Sequence, residues 1–159
     1  MGRTARLSIL VYAIAFVTLL LDQASKAWVR RSLVGRAPLE LIPGVLRLVH
    51  TTNSGGAFGL GQSAPWLFAG ATIVVTGIII YASLHVSRPL VAVALGLVLG
   101  GALGNLADRA LRGPGFSGRV TDFIDVRVWP VFNIADSAVV IGAVLLALAS
   151  LGHEEKEPG

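Results

Sequence analysis

The chain begins with Arg3 and Arg6 and then runs apolar from Leu7 to Leu21. Asp22 follows directly. Asp22 and Lys26 are four residues apart, so a helix can continue through them with the opposite charges as neighbours on one face. The first helix is therefore expected over about 7–29. A cleaved leader is the competing reading, since Ser25 and Ala27 suit a small-residue cleavage site. Residues 35–64 differ in kind. Pro38, Pro43 and many glycines interrupt any helix, and Leu46, Leu48 and His50 alternate with Arg47, Val49 and Thr51 at strand period. A small sheet lying on the membrane surface is expected there, with turn chemistry at Asn53-Ser54-Gly55-Gly56. Three more apolar runs follow, over about 65–86, 89–108 and 130–151. Each has roughly the 20 residues that a bilayer core requires. Pro65, Pro89 and Pro130 each open a run, where a missing N–H costs nothing. Ser87-Arg88 leaves room only for a tight antiparallel turn. The charged tail from His153 is expected to be disordered. The pattern predicts an all-α membrane protein. It is one domain over 1–159 with four transmembrane helices, and a small β-sheet and interfacial segment lie between helices 1 and 2.

Composition agrees. The chain is 54% hydrophobic and only 14% charged, against about 25% in soluble domains. It has no cysteine, which excludes disulfides, thiol nucleophiles and thiolate metal sites. Its net charge of +4 suits anchoring to anionic lipid. No basic run with interleaved aromatics points to nucleic acid. Trp28, Trp66 and Trp129 fall at span ends on one membrane face, as an aromatic belt would.

Polar residues then single out one end of the bundle. Gly96, Gly100 and Gly104 recur every fourth residue and would let another helix come close. One turn later the same face carries Asn105 and Arg109, with Asp108 between them. Asn133 and Asp136 project together from the fourth span, and Asp22, Ser25 and Lys26 cluster on the first. Asp136 is expected about six residues inside its span, or about 9 Å along the axis. A carboxylate in hydrocarbon costs about 2.5–3.5 kcal/mol and needs a reason. Three remain open: a buried ion pair with Arg109 that sets helix register, a proton or ion pathway, and hydrolysis by Asp136 together with Asp122. Two carboxyls held close share a proton, because both cannot ionise cheaply. Such a pair can act as general acid and general base. Asp125 is the rival to Asp122. Gly115-Phe116-Ser117-Gly118 resembles a rhomboid serine-protease motif, but it sits in an arginine-rich loop. His50, His85 and His153 are too scattered to serve that serine or to bind a metal. The presenilin-type G-x-G-D is absent.

Five blocks resemble the signal peptidase II (prolipoprotein signal peptidase) family: L-D-Q-A-S-K from Leu21, N-S-G-G-A-F-G from Asn53, G-N-L-A-D-R from Gly104, V-T-D-F-I from Val120 and F-N-I-A-D-S-A from Phe132. They occur in the family's order and cover most of the chain. Gly56 departs from the family pattern, which more often has alanine there. The resemblance implies an intramembrane aspartyl endopeptidase of the bacterial cytoplasmic membrane, with both termini cytoplasmic and its site at the extracytoplasmic face. It implies removal of the signal peptide from prolipoproteins, just before a diacylglyceryl-modified cysteine. It assigns catalysis to Asp122 and Asp136. It lines the substrate groove with Asn53, Asn105, Arg109 and Asn133, supported by Asp22 and Lys26, and makes the surface sheet a cradle over the substrate. Prolipoprotein and membrane lipid are the partners implied; no cofactor, metal or nucleic acid is, and a monomer is expected. The alternative is a small proton- or ion-coupled transporter. One feature opposes the implied topology. Lys26, Arg30, Arg31, Arg36, Arg47, Arg109, Arg112, Arg119 and Arg127 crowd the site end, and the positive-inside rule alone would turn that end to the cytoplasm.

Overall fold

The computed structural model describes residues 2–54 and 65–154. The Gly55-Gly56 part of the expected turn and the tail from residue 155 lie outside them. Helix α1 runs Arg3–Ser32, strands β1 and β2 cover Leu39–Ile42 and Leu46–Asn53, and α2 and α3 are Pro65–Ser83 and Pro89–Leu111. A 3-10 turn at Pro114–Phe116 leads to β3, Val120–Asp125, and α4 is Ile134–Glu154.

Among the described residues, three helices are long and apolar enough to cross a membrane: α1, α3 and α4. In α2 the apolar stretch Ala69–Ser83 is shorter. Helix α3 is the most buried and packs against α1, α2 and α4. Close approach to α1 rests on the glycine face. A Cβ on Gly100 would stand 2.6 Å from the Ala15 carbonyl oxygen, and one on Gly104 would stand 2.6 Å from Asp22 Oδ2. The shared core holds Leu7, Val11 and Ala15 from α1, Ile79 from α2, and Ala92, Leu95 and Leu99 from α3. Large apolar side chains such as Phe16, Val74 and Ile78 point outward. Water would reject such a surface, whereas lipid accepts it.

The sheet is antiparallel in the order β1-β2-β3. The expected small sheet is present in β1 and β2, but a third strand comes from the segment before α4, where sequence periodicity signals no strand. It pairs with β2 at Thr51↔Asp122 and Thr52↔Thr121. Alternation along β3 sends Phe123 onto Val29 and Leu33 of α1, and Val120 and Asp122 the opposite way, into a cavity. Helix α4 starts at Ile134, four residues after the proline expected to open it. Phe132 first forms a bridge with Ile124, which keeps the backbone extended up to Asn133. Asp136 is thus in the first turn of α4, shallower than the sequence implies. At the other end, α4 runs on to Glu154 and takes in the first residues of the tail expected to be disordered.

Candidate active site

A capping box holds Asp136. The Asn133 side-chain oxygen accepts a hydrogen bond from the Asp136 backbone N–H at 2.9 Å, and Asp136 Oδ2 accepts one from the Asn133 backbone N–H at 3.2 Å. Each side chain satisfies a donor that the start of a helix leaves open. The other oxygen, Oδ1, accepts a 2.7 Å hydrogen bond from Asn105 Nδ2 on α3. Asp136 is therefore pinned from two sides by neutral N–H groups. Among the described residues, its ion pairs do not include Arg109, so the buried-pair reading of the sequence lacks its contact. Arg109 instead donates from Nη1 to the Asn105 carbonyl at 3.2 Å and lines the same cavity as Asp136.

Asn133 also reaches Asp122. It is fully buried, and its Nδ2 donates to Asp122 Oδ1 at 2.7 Å and to Asn105 Oδ1 at 3.2 Å. One side chain thus bridges the β3 carboxyl and the helix start that carries the other carboxyl. Burial pushes the Asp122 carboxyl up to about 7, and the nearby Asp136 charge adds to the shift; hydrogen bonds from Asn133 and Asn53 pull the other way without cancelling it. Asp122 can therefore hold a proton close to neutral pH.

Both carboxyls, together with Asn53, Asn105 and Arg109, line a cavity of about 480 Å³. Val75, Val98, Ala102, Val139 and Val140 supply its apolar wall, and Trp129 stands at its side. Trp129, which the sequence assigns to anchoring, is also part of this lining. A smaller polar chamber, lined by Thr51, Thr52 and Arg119, meets the cavity at Asn53 and Asp122. The rival carboxyl, Asp125, is elsewhere. It lies three residues from Asp122 on the same strand and accepts hydrogen bonds from the Arg127 backbone N–H at 2.8 Å and Arg47 Nε at 2.6 Å. Those partners, the Arg127 N–H first, hold it below the usual carboxylate range.

Asp22 and Lys26 do not touch the cavity. They form a buried cluster behind it. Lys26 Nζ lies 2.7 Å from Asp22 Oδ2 and 3.0 Å from Asp108 Oδ2. Asp108 also takes Arg112 Nε at 2.7 Å and the Thr121 backbone N–H at 3.2 Å. Asp22 Oδ1 accepts the Ala135 N–H at 3.0 Å, which ties the cluster to the first turn of α4. The cluster carries two cations and two anions, so it is neutral as a unit. The sequence singles out Asp108 without its tie to Lys26, and Arg112 and Thr121 are unforeseen members. The i,i+4 spacing of Asp108 and Arg112 is the one sequence signal that could have drawn them in. Among the described residues, no group of histidines and carboxylates is arranged to hold a metal.

Known proteins match this arrangement along nearly its whole length. The sequence model of signal peptidase (SPase) II matches residues 14–152. The lipoprotein signal peptidase of Syntrophomonas wolfei is 44% identical over 142 residues, covering 89% of this chain and 92% of the relative. That of Pelotomaculum thermopropionicum is 43% identical over 148 residues, covering 92% and 94%. Two solved structures, both bacterial membrane enzymes obtained by the in meso method, share the fold. One has a TM-score of 0.80 at 30% identity over 94% of this chain and 92% of its own. The other has a TM-score of 0.77 at 31% identity over 89% and 92%. Agreement of this extent, in sequence and in three dimensions, places the chain in the signal peptidase II family.

Proposed function

We propose that this chain removes signal peptides from prolipoproteins as an intramembrane aspartic endopeptidase, with Asp122 and Asp136 as its catalytic pair. Family membership supports the proteolytic activity and the substrate class, and lends nothing to the transporter alternative. One observation carries the aspartic reading. Two carboxyls far apart in the chain face one cavity and are joined through a single buried residue, Asn133, whose side chain donates to Asp122 and whose backbone N–H donates to Asp136.

The chemistry follows from their different surroundings. Asp136 takes a proton from water, and the water oxygen bonds to the carbonyl carbon of the scissile amide. Asp122, the carboxyl that keeps its proton near neutrality, gives that proton to the carbonyl oxygen. The tetrahedral adduct then collapses and the C–N bond breaks. The amine leaves with the proton from Asp136, and Asp122 recovers its own. Each transfer typically contributes about 10²–10⁴-fold. Asn53, Asn105 and Arg109 on the cavity wall offer polar groups to the peptide, and the valine-rich wall suits a helical signal peptide and the acyl chains beside it. Cleavage falls just before the diacylglyceryl-modified cysteine.

In the bilayer, α2 joins α1, α3 and α4 as a fourth span, the chain works as a monomer in the bacterial cytoplasmic membrane, and the site faces outward under the sheet. Four of the nine basic residues named at that end have a structural use. Lys26, Arg47, Arg112 and Arg127 each hold a carboxylate within the fold. Their charge serves structure, not sorting of loops across the membrane.

The test is Asp136→Asn in detergent with a lipid-modified precursor. Cleavage should vanish while the helical circular dichroism spectrum is kept; processing near the wild-type rate would exclude the pair. Reconstituted protein should move no protons down an imposed gradient.

A further inference from the structure

We propose that Lys26 is a positioning residue that sets the orientation of the Asn105 amide and, through it, holds Asp136 in place. This rests on the reading of Asp136 as a catalytic carboxylate. Lys26 is fully buried and its ammonium makes three polar contacts. Two go to Asp22 and Asp108, which is all that a staple between α1 and α3 needs. The third leaves the charged cluster and reaches Asn105 Oδ1, a neutral group on the cavity wall, at 3.0 Å.

That third bond has a directional consequence. An ammonium donates and cannot accept. Asn105 must therefore turn its oxygen to Lys26, and its NH₂ then faces Asp136 Oδ1 at 2.7 Å. Flipping the amide would bring NH₂ against the ammonium and oxygen against the carboxylate, so both contacts would become repulsive. Without Lys26, the Asn133 Nδ2 contact at 3.2 Å is the remaining bond to Asn105 Oδ1. The capping box still holds Asp136 Oδ2 through the Asn133 N–H, but the donor to Oδ1 is then held by that one longer bond. Lys26 thus acts on the reacting carboxylate from outside the cavity.

Lys26→Met alone would leave Asp22 buried without its cation, so the informative variant is Asp22→Asn with Lys26→Met. It keeps the cluster neutral, keeps an oxygen for the Ala135 N–H, and leaves Asp108 paired with Arg112. Turnover of a lipid-modified precursor is measured for this variant, for Asn105→Ala, for the two combined and for Asp136→Asn. The first two should each lower kcat by about 10- to 100-fold, the scale of a small misplacement of a reacting group, and in the Asp22/Lys26 variant, whose side chains do not line the cavity, KM should stay within about twofold. The combination should lose no more than Asn105→Ala alone, because both act through one amide. Wild-type kcat in the Asp22/Lys26 variant, or losses that multiply, would overturn the proposal. An active Asp136→Asn would sink the aspartic reading and the Lys26 role with it, whereas wild-type kcat in the Asp22/Lys26 variant beside an inactive Asp136→Asn would sink the Lys26 role alone. If the Asp22/Lys26 variant does not fold, the Asn105 side-chain amide signals of the wild-type protein decide. One Nδ2 proton shifted strongly downfield, and moved by Asp136→Asn, supports the lock; two ordinary signals refute it.

Discussion

Asp122→Asn should inactivate the enzyme and yet stabilise it. The Asp122 carboxyl is nearly excluded from solvent and its ionisation is pushed from 3.8 up to about 7. At acid pH, below the unfolded value, the group is protonated in both states and favours neither. As pH rises toward 7, the unfolded chain ionises while the fold resists, so stability falls; above the folded value the loss is complete. At 1.36 kcal/mol for each tenfold change, that loss is about 4 kcal/mol. Asparagine has nearly the same shape and no charge to lose. Its oxygen can still accept from Asn133 Nδ2, while losing the Asn53 hydrogen bond subtracts about 1 kcal/mol. The net gain is about 3 kcal/mol above neutrality. For a chain of this size that is roughly 6–12 °C in Tm. Tryptophan fluorescence during thermal unfolding in detergent, at pH about 4 and about 8, reads it directly. The variant should melt higher at the alkaline pH, show little difference at the acid one, and cleave no precursor at either. A Tm gain equal at both pH values, or an Asn variant less stable at alkaline pH, would refute the claim that burial and the Asp136 charge load this carboxyl.

Other expectations follow from the same geometry. Turnover of the wild-type enzyme should decline as pH rises through about 7, where Asp122 loses its proton; a flat pH–rate profile to well above that point would contradict its role as acid. Asp125→Asn should leave the pH profile unchanged and weaken the sheet by about 1–3 kcal/mol, because it removes the charged partner of Arg47; thermal unfolding and the pH–rate curve together check this. Asn133→Ala should cost about 1 kcal/mol or more through the lost helix cap, and lower kcat far more than that loss suggests, because it also unties Asp122 from Asp136. Gly100→Ala should destabilise by about 1–3 kcal/mol, since the new methyl meets the Ala15 backbone and α1 must move away; an unchanged Tm would mean the helices are not this close.

The amino-acid order by itself settled whatever depends on neighbours along the chain. Long apolar runs need a bilayer-like surrounding wherever they fold, so α1, α3 and α4 are legible as spans, and the glycine face of α3 announces a close helix partner. The blocks around Asp122 and Asp136 carry the family. What pairs across the chain was not legible. Strand β3 is six residues long and buried at nearly every position, so no alternation of polar and apolar residues marks it; it becomes a strand because β2, some seventy residues earlier, supplies its hydrogen bonds. The start of α4 was displaced for a similar reason: the apolar run begins at Pro130, but the bridge from Phe132 to Ile124 delays the helix until Asn133 can cap it. Motif resemblance favours Asp122 over its rival Asp125, but the physical ground for separating them lies in packing, since a strand sends residues three apart to opposite faces. The tertiary structure alone determined which carboxyl shares a cavity with Asp136 and which is held by Arg47. It alone turned Lys26 from a helix-surface charge into the buried donor behind Asn105, because hydrogen bonds between distant segments are made only after the helices have closed on one another.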